Sequence, residues 1–134
     1  MKFILPLLIS LCIPLLLSAQ EGTFATCYAN LCADGELTLK EIASTDMIDV
    51  KSTVDGSSYG IISFTTVYVL NGKKLECTCR ENKLTVRCLS LRDKLLVGDQ
   101  MIIKDVVFKD IKGGGKIRTA PELVITVVKP DDEN

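Results

Sequence analysis

Three cysteines fall within twelve residues of one another, in CTCRENKLTVRC over residues 77–88. Thiols this close can hold a metal, exchange electrons through a disulfide, or pin a fold. Cys77 and Cys79 are separated by one residue, so the spacing is CxC and not the CxxC of thioredoxin-like redox motifs, and no βαβ pattern surrounds it. The chain has no histidine. That excludes Ser-His and Cys-His nucleophiles, mixed His/Cys zinc sites and His-based metal catalysis. A cysteine-only metal site then depends on the compartment, because thiols outside the cell oxidise to disulfides.

The start of the chain speaks to the compartment. Lys2 is the only charge before Glu21, an apolar run covers residues 3–17, and Ser18, Ala19 and Gln20 follow. A basic start, a short apolar core and small residues at its end describe a secretory signal peptide over residues 1–19, cleaved after Ala19. Pro6 and Pro14 interrupt the run, which falls short of the ~18–20 residues that span a bilayer. The expected localisation is therefore secreted and extracellular, without a membrane span. The mature chain would begin at Gln20, which can cyclise and lose its amino charge. Cys12 leaves with the leader, so five of the six cysteines remain: Cys27, Cys32, Cys77, Cys79 and Cys88. These are the disulfide candidates, and two bonds leave one over. The odd cysteine is either a buried free thiol or the source of a covalent dimer.

The elements that must position these cysteines read as β-strands. Residues 20–35 look irregular. Residues 36–42 alternate at Leu37 and Leu39, although a short helix can also be written there. Residues 47–54 follow, then a turn at 55–58. Residues 60–70 are rich in β-branched and aromatic types and predict a strong strand, ended by a tight turn at Asn71-Gly72. Residues 73–80 and 83–89 predict two further strands joined near Glu81-Asn82. Ser90 and Asp93 can cap about one helical turn before Gly98. Residues 100–109 predict a strand, 112–116 a hairpin tip, and 121–129 a central strand apolar on both faces. The expected fold class is all-β: one small disulfide-stabilised, OB-like barrel domain over 20–130, with at most one short helix and an acidic tail at 131–134.

Alternation over 73–80 puts Leu75, Cys77 and Cys79 on one face, and over 83–88 puts Leu84, Val86 and Cys88 on one face. Pairing the two strands brings Cys88 near Cys77. Cys77 and Cys79 run parallel along one strand and are not expected to bond each other. The cluster is therefore expected to send at least one bond to Cys27 or Cys32. The opposite face carries Lys74, Arg80, Lys83 and Arg87, a candidate basic binding face. Residues 73–94 hold seven basic against three acidic side chains, and residues 20–60 hold two against seven. Segregation of this kind can steer an acidic partner, although an ordinary solvated face looks the same.

The segments CLSLRDKLLVGDQMIIKD (88–105), GKIRTAPELVITVV (115–128) and YGIISFTTVYVLNGKK (59–74) resemble the core pattern of the netrin-like domain, the OB-type barrel of tissue inhibitors of metalloproteinases. Those inhibitors chelate the catalytic zinc through an amino-terminal cysteine. Here Cys27 lies inside the expected mature start, so the resemblance carries no zinc chelator over, and the last-strand cysteine of the family is also missing. The stretch CTCRENKLTVRC is similar to the hairpin of von Willebrand factor C modules, which need about twice as many cysteines.

The near-neutral mature chain, with 17 acidic residues against 16 basic ones less Lys2, argues against general nucleic-acid binding. No motif gives named residues a catalytic role, and no cofactor or metal is implied. The expected function is a secreted, non-catalytic binding or inhibitory module acting on an extracellular protein, or on a sulfated glycan through the basic face, as a monomer or a disulfide-linked dimer. The alternative is a matrix component crosslinked through the odd cysteine. The leader reading makes a first prediction. Intact mass of protein collected from the medium should begin at Gln20, and a mass that retains residues 1–19 would refute it.

Overall fold

The computed structural model describes residues 23–131. The expected leader, and all but Asp131 of the expected tail, lie outside the described residues. Eight strands and two short helices follow in order: β1 (Phe24–Tyr28), β2 (Gly35–Thr38), α1 (Leu39–Ile42), β3 (Ile48–Ser52), β4 (Ser58–Leu70), β5 (Lys73–Arg80), α2 (Val86–Arg92), β6 (Gln100–Asp110), β7 (Lys116–Ala120) and β8 (Leu123–Val128). The described residues are mostly β, as the strand patterns predict, but hold two helices where at most one was expected.

The β-branched run at 60–70 forms β4, which pairs antiparallel with β3, β5 and β6. Its turn into β5 is the expected one. Asn71 and Gly72 have φ of 50° and 83°, a pair that Asn and Gly adopt cheaply, and Leu70 stands opposite Lys73. β6 pairs first with β8 over 100–103 and then with β7 over 106–110. Between these stretches Asp105 takes a left-handed φ of 51°, and Pro121-Glu122 separates β7 from β8. β4 carries register shifts facing the same region. Irregularities of this kind bend strands, and here they curl the sheet into a half-barrel.

The order along the sheet is β1-β3-β4-β6-β8-β2, with β5 on β4 and β7 on β6. β8 pairs on both sides, with β6 and with β2, as its two-faced apolar run predicts. The end strands β1 and β2 are neighbours in sequence, so the sheet must curl until its ends lie one short loop apart. That loop is a tight hairpin. Tyr28 and Leu31 exchange backbone hydrogen bonds at 2.9 and 2.8 Å across Ala29 and Asn30, whose φ values are 50° and 71°. The Thr26 hydroxyl donates to Pro121 O at 2.6 Å, joining β1 to the break between β7 and β8, and Val124 N donates to Asp34 Oδ1 at 2.8 Å, joining the loop before β2 to β8. Residues 20–35 were expected to be irregular; of these, the described residues from Thr23 onward carry β1 and this hairpin instead.

Residues 83–89 also depart from the strand expected of them. They do not return along β5. After the turn at Glu81, Ile48 N donates to Asn82 O at 2.9 Å and Leu84 N to Asp46 O at 2.8 Å, so the chain crosses to residues 46–48. Thr85 then caps α2, its side chain accepting from Cys88 N at 3.3 Å. Leu84, Cys88, Leu91 and Leu95 are all buried, at helical spacing. Val86, expected inward, is 84% exposed. The helical turn expected after Ser90 begins five residues earlier, so Thr85 and not Ser90 caps its start, and Asp93 falls at its end.

α2 lies against the inside of the curled sheet, where Phe64, Tyr68, Met101, Ile103, Phe108 and Ile125 are fully buried. It also carries Arg92 into the interior. Arg92 Nη1 donates to Thr45 O at 2.6 Å, to Tyr28 Oη at 2.9 Å and to Ile42 O at 3.3 Å. Tyr28 Oη lies 2.5 Å from Ile42 O, to which it donates. Arg92 Nη2 faces Asp46 at 3.6 Å. One side chain therefore ties α2 to β1 and to the end of α1. Arg92→Ala should lower stability by about 2–3 kcal/mol, since it strands buried acceptors, while Lys83→Ala on the exposed surface should change it by less than ~0.5 kcal/mol. Urea midpoints of the two variants check this, and equal midpoints would refute the role given to Arg92.

Candidate functional site

The three clustered cysteines do meet, although by a route the alternation did not predict. Cys77 and Cys79 point inward from β5, two residues apart on one face, and Cys88 reaches them from α2. All three sulfur atoms lie within 4.8 Å of one another. Cys77 is bonded to Cys88. Cys79 is free and buried, with its Sγ 3.0 Å from Cys88 Sγ. A disulfide sulfur has no hydrogen, so the Cys79 thiol is the donor in that contact. Thr66, inward from β4 and opposite Cys77, places its hydroxyl 3.0 Å from Cys77 Sγ and 3.6 Å from Cys88 Sγ. With Cys77 and Cys88 joined, the cluster offers one thiol rather than three thiolates, so in this state it cannot supply a thiolate metal site.

The other two cysteines pair with each other. Cys27 and Cys32 flank the Ala29-Asn30 turn, their Cα atoms 4.1 Å apart. The bond expected from the cluster to Cys27 or Cys32 does not form. The turn itself brings these two side chains together, and α2 brings Cys88 to Cys77. Cys27 is buried in mid-strand opposite Asp49, so its nitrogen is a strand amide and no amino-terminal chelating group.

Beside the braced hairpin lies an open groove of about 460 Å³, walled by Cys27–Asn30, by residues 44, 45, 47–49 and 51, and by Asn82. Met47 is 52% exposed there, and the Asn82 amide lies 3.8 Å from its sulfur. Lys83 forms an isolated bridge with Met47 at the same place. The groove was not visible in the sequence, because its walls come from three separated segments. The nearest signal was the strand-like stretch 47–54, which marks a strand and not a groove.

The four basic residues are all exposed, but they do not share one hairpin face. Lys74 and Arg80 lie on the outer side of β5, Lys83 on the turn and Arg87 on α2. None of them pairs with a carboxylate among the described residues. Glu76, between Lys74 and Arg80, is instead paired with Lys104 at 3.0 Å, and that pair raises the Lys104 pKa. On the far side, the Ser57 hydroxyl and the Lys112 ammonium hold the Asp55 carboxyl well below the usual carboxylate range.

Burial pushes the Tyr68 hydroxyl up to about 12, and it raises Tyr28 as well, against the opposing pull of Arg92. Above pH ~10 the unfolded tyrosine loses its proton while the buried one keeps it. The unfolded state then binds fewer protons, so stability falls as pH rises from about 10 to 12, by at most ~1.4 kcal/mol per pH unit for this group. Tyr68→Phe should shrink the loss of urea midpoint between pH 9 and 11.5. An undiminished loss in the variant would refute the assignment.

No protein-family model matches the chain, and no curated protein matches it.

Proposed function

We propose that the protein is a secreted, non-catalytic binding or inhibitory module whose partner is an extracellular protein, engaged at the groove between the braced hairpin and residues 44–51. The observation that carries this reading is the groove's construction. The Cys27–Cys32 bond and the exchanged Tyr28–Leu31 hydrogen bonds stiffen one wall. The half-exposed Met47 supplies an adaptable apolar contact beside Asp49, Lys51 and Asn82. A rigid wall loses little freedom on binding, which is what favours affinity at a site of modest area. Secretion is part of the same proposal, supported by the amino-terminal pattern and by two disulfides that suit an oxidising compartment. The netrin-like likeness stays within it as the proposed lineage, supported by the quoted segments and by a curled, mostly β sheet. An inhibitory action would have to use a surface other than an amino-terminal cysteine, since Cys27 is enclosed in β1.

The second reading, crosslinking through the odd cysteine, has burial against it. Cys79 has 0% exposure. A glycan reading rests on Lys74, Arg80, Lys83 and Arg87, whose charges are exposed and unpaired among the described residues.

Purified mature protein can be screened by interferometry against secreted proteases, matrix proteins, receptor ectodomains and heparin, at two salt concentrations. A protein ligand should emerge whose Kd rises at least about tenfold with Met47→Arg and not with Ile117→Arg, an exposed position on β7. Binding to heparin alone, lost on reversing Lys83 and Arg87 to Glu, would transfer the function to the glycan. A protein ligand indifferent to Met47→Arg would refute the groove.

A further inference from the structure

We propose that the sulfur cluster is an intramolecular thiol–disulfide exchange site, in which Cys88 is the fixed partner and Cys77 and Cys79 are interchangeable. This inference is independent of the groove. Three observations carry it. The Cys79 Sγ lies 3.0 Å from the Cys88 Sγ, already the sulfur it would attack. Cys77 and Cys79 present their sulfurs from the same face of one strand, so either can reach the one sulfur offered by α2. The Thr66 hydroxyl stands 3.0 Å from Cys77 Sγ, the leaving sulfur, where it can donate to a developing thiolate.

The step balances without an outside oxidant or reductant. Cys79 gives up its thiol proton. Its sulfur electron pair forms the Cys79–Cys88 bond. The Cys77–Cys88 bond breaks, its electron pair goes to Cys77 Sγ, and a proton is taken up there. One disulfide and one thiol exist before and after, so no net redox change occurs. The attacker must be a thiolate, so the rate rises with pH. The exchange moves the free thiol from Cys79, at 0% exposure, to Cys77, at 7% exposure on a strand that among the described residues is paired along one edge. A small electrophile, or a low-molecular-weight disulfide, then meets the thiol at Cys77 and not at Cys79. The odd cysteine thus becomes a modification site without being at the surface.

The experiment uses the full chain expressed through the secretory pathway, with Cys77→Ser, Cys79→Ser and Cys88→Ser compared. Each secreted protein is denatured in alkylating reagent and weighed. Cys77→Ser should carry no alkylatable thiol, because Cys79 and Cys88 bond, and its melting temperature should match that of Cys79→Ser within a few degrees. Cys88→Ser should carry two alkylatable thiols and be secreted poorly. A folded Cys77→Ser protein with two alkylatable thiols overturns the proposal, and so does its failure to be secreted where Cys79→Ser is. In the native wild-type protein at mildly alkaline pH, slow iodoacetamide labelling located by tandem mass spectrometry should favour Cys77 over Cys79 by at least about tenfold. Label on Cys79 alone, or on neither cysteine, also overturns it.

Discussion

Helix α2 against the inside of the curled sheet is the contact on which the rest of the structure depends. A sheet that curls gathers its apolar side chains on a concave face, and something must cover them. α2 spans only Val86–Arg92, far below the length at which an isolated helix holds together in water. It persists because three attachments act at once. Thr85 caps its start, Cys88 is bonded to β5, and Arg92 is held by carbonyls at the end of α1 and by Tyr28. In the chain-entropy model, the cross-link from Cys77 to Cys88 contributes about 3 kcal/mol. The same contact encloses Cys79, so the odd thiol follows from how α2 docks.

The parts of the fold legible in the sequence are those where local chemistry and tertiary context agree. Residues 60–70 had no good alternative to a strand, and Asn71-Gly72 specifies its turn type. Residues 121–129 read as central because both faces are apolar, and β8 within them is paired on both sides. Residues 84–88 were ambiguous in a physical sense. Leu84, Val86 and Cys88 fit a period of two, while Leu84, Cys88, Leu91 and Leu95 fit a helix. Over so short a span the longer pattern decides, and the cap at Thr85 agrees with it. Thr38 and Glu41 offered the same kind of signal for α1, where they form a reciprocal cap. β1 was hidden for another reason. Its turn uses Ala29 and Asn30 at positive φ, and alanine there gives no local warning of a hairpin.

The site was legible in its membership and illegible in its connectivity. Pairing of Cys88 with Cys77 followed from any arrangement that brought residues 83–88 back to β5, so the right partner came from the wrong element. The bond from the cluster to Cys27 or Cys32 was an expectation about long-range contact, and it failed because a tight local turn placed those two side chains together. The groove had no sequence signature at all. Its walls come from the hairpin, from residues 44–51 and from Asn82, and only the crossing of the chain after Glu81 brings them side by side.

The charge pattern shows how folding can leave a sequence property intact. The acidic segment 20–60 could have neutralised the basic one at 73–94. Instead its Asp46 faces Arg92, which is buried, and its Asp55 binds Lys112, which lies outside the basic segment. Glu76, the acid between Lys74 and Arg80, is taken up by Lys104 of β6. Each of these pairs engages an acidic side chain without consuming any of Lys74, Arg80, Lys83 and Arg87. Their positive charge therefore remains in solvent, where salt screens it over about 10 Å at moderate ionic strength. Lys83 stands opposite Met47 at the groove, so under the proposed function a partner entering there would meet part of this charge. On the same proposal, a partner face with acidic side chains around an apolar centre would suit that arrangement better than a uniformly anionic one, because Asp49 also lines the groove and repels negative charge there.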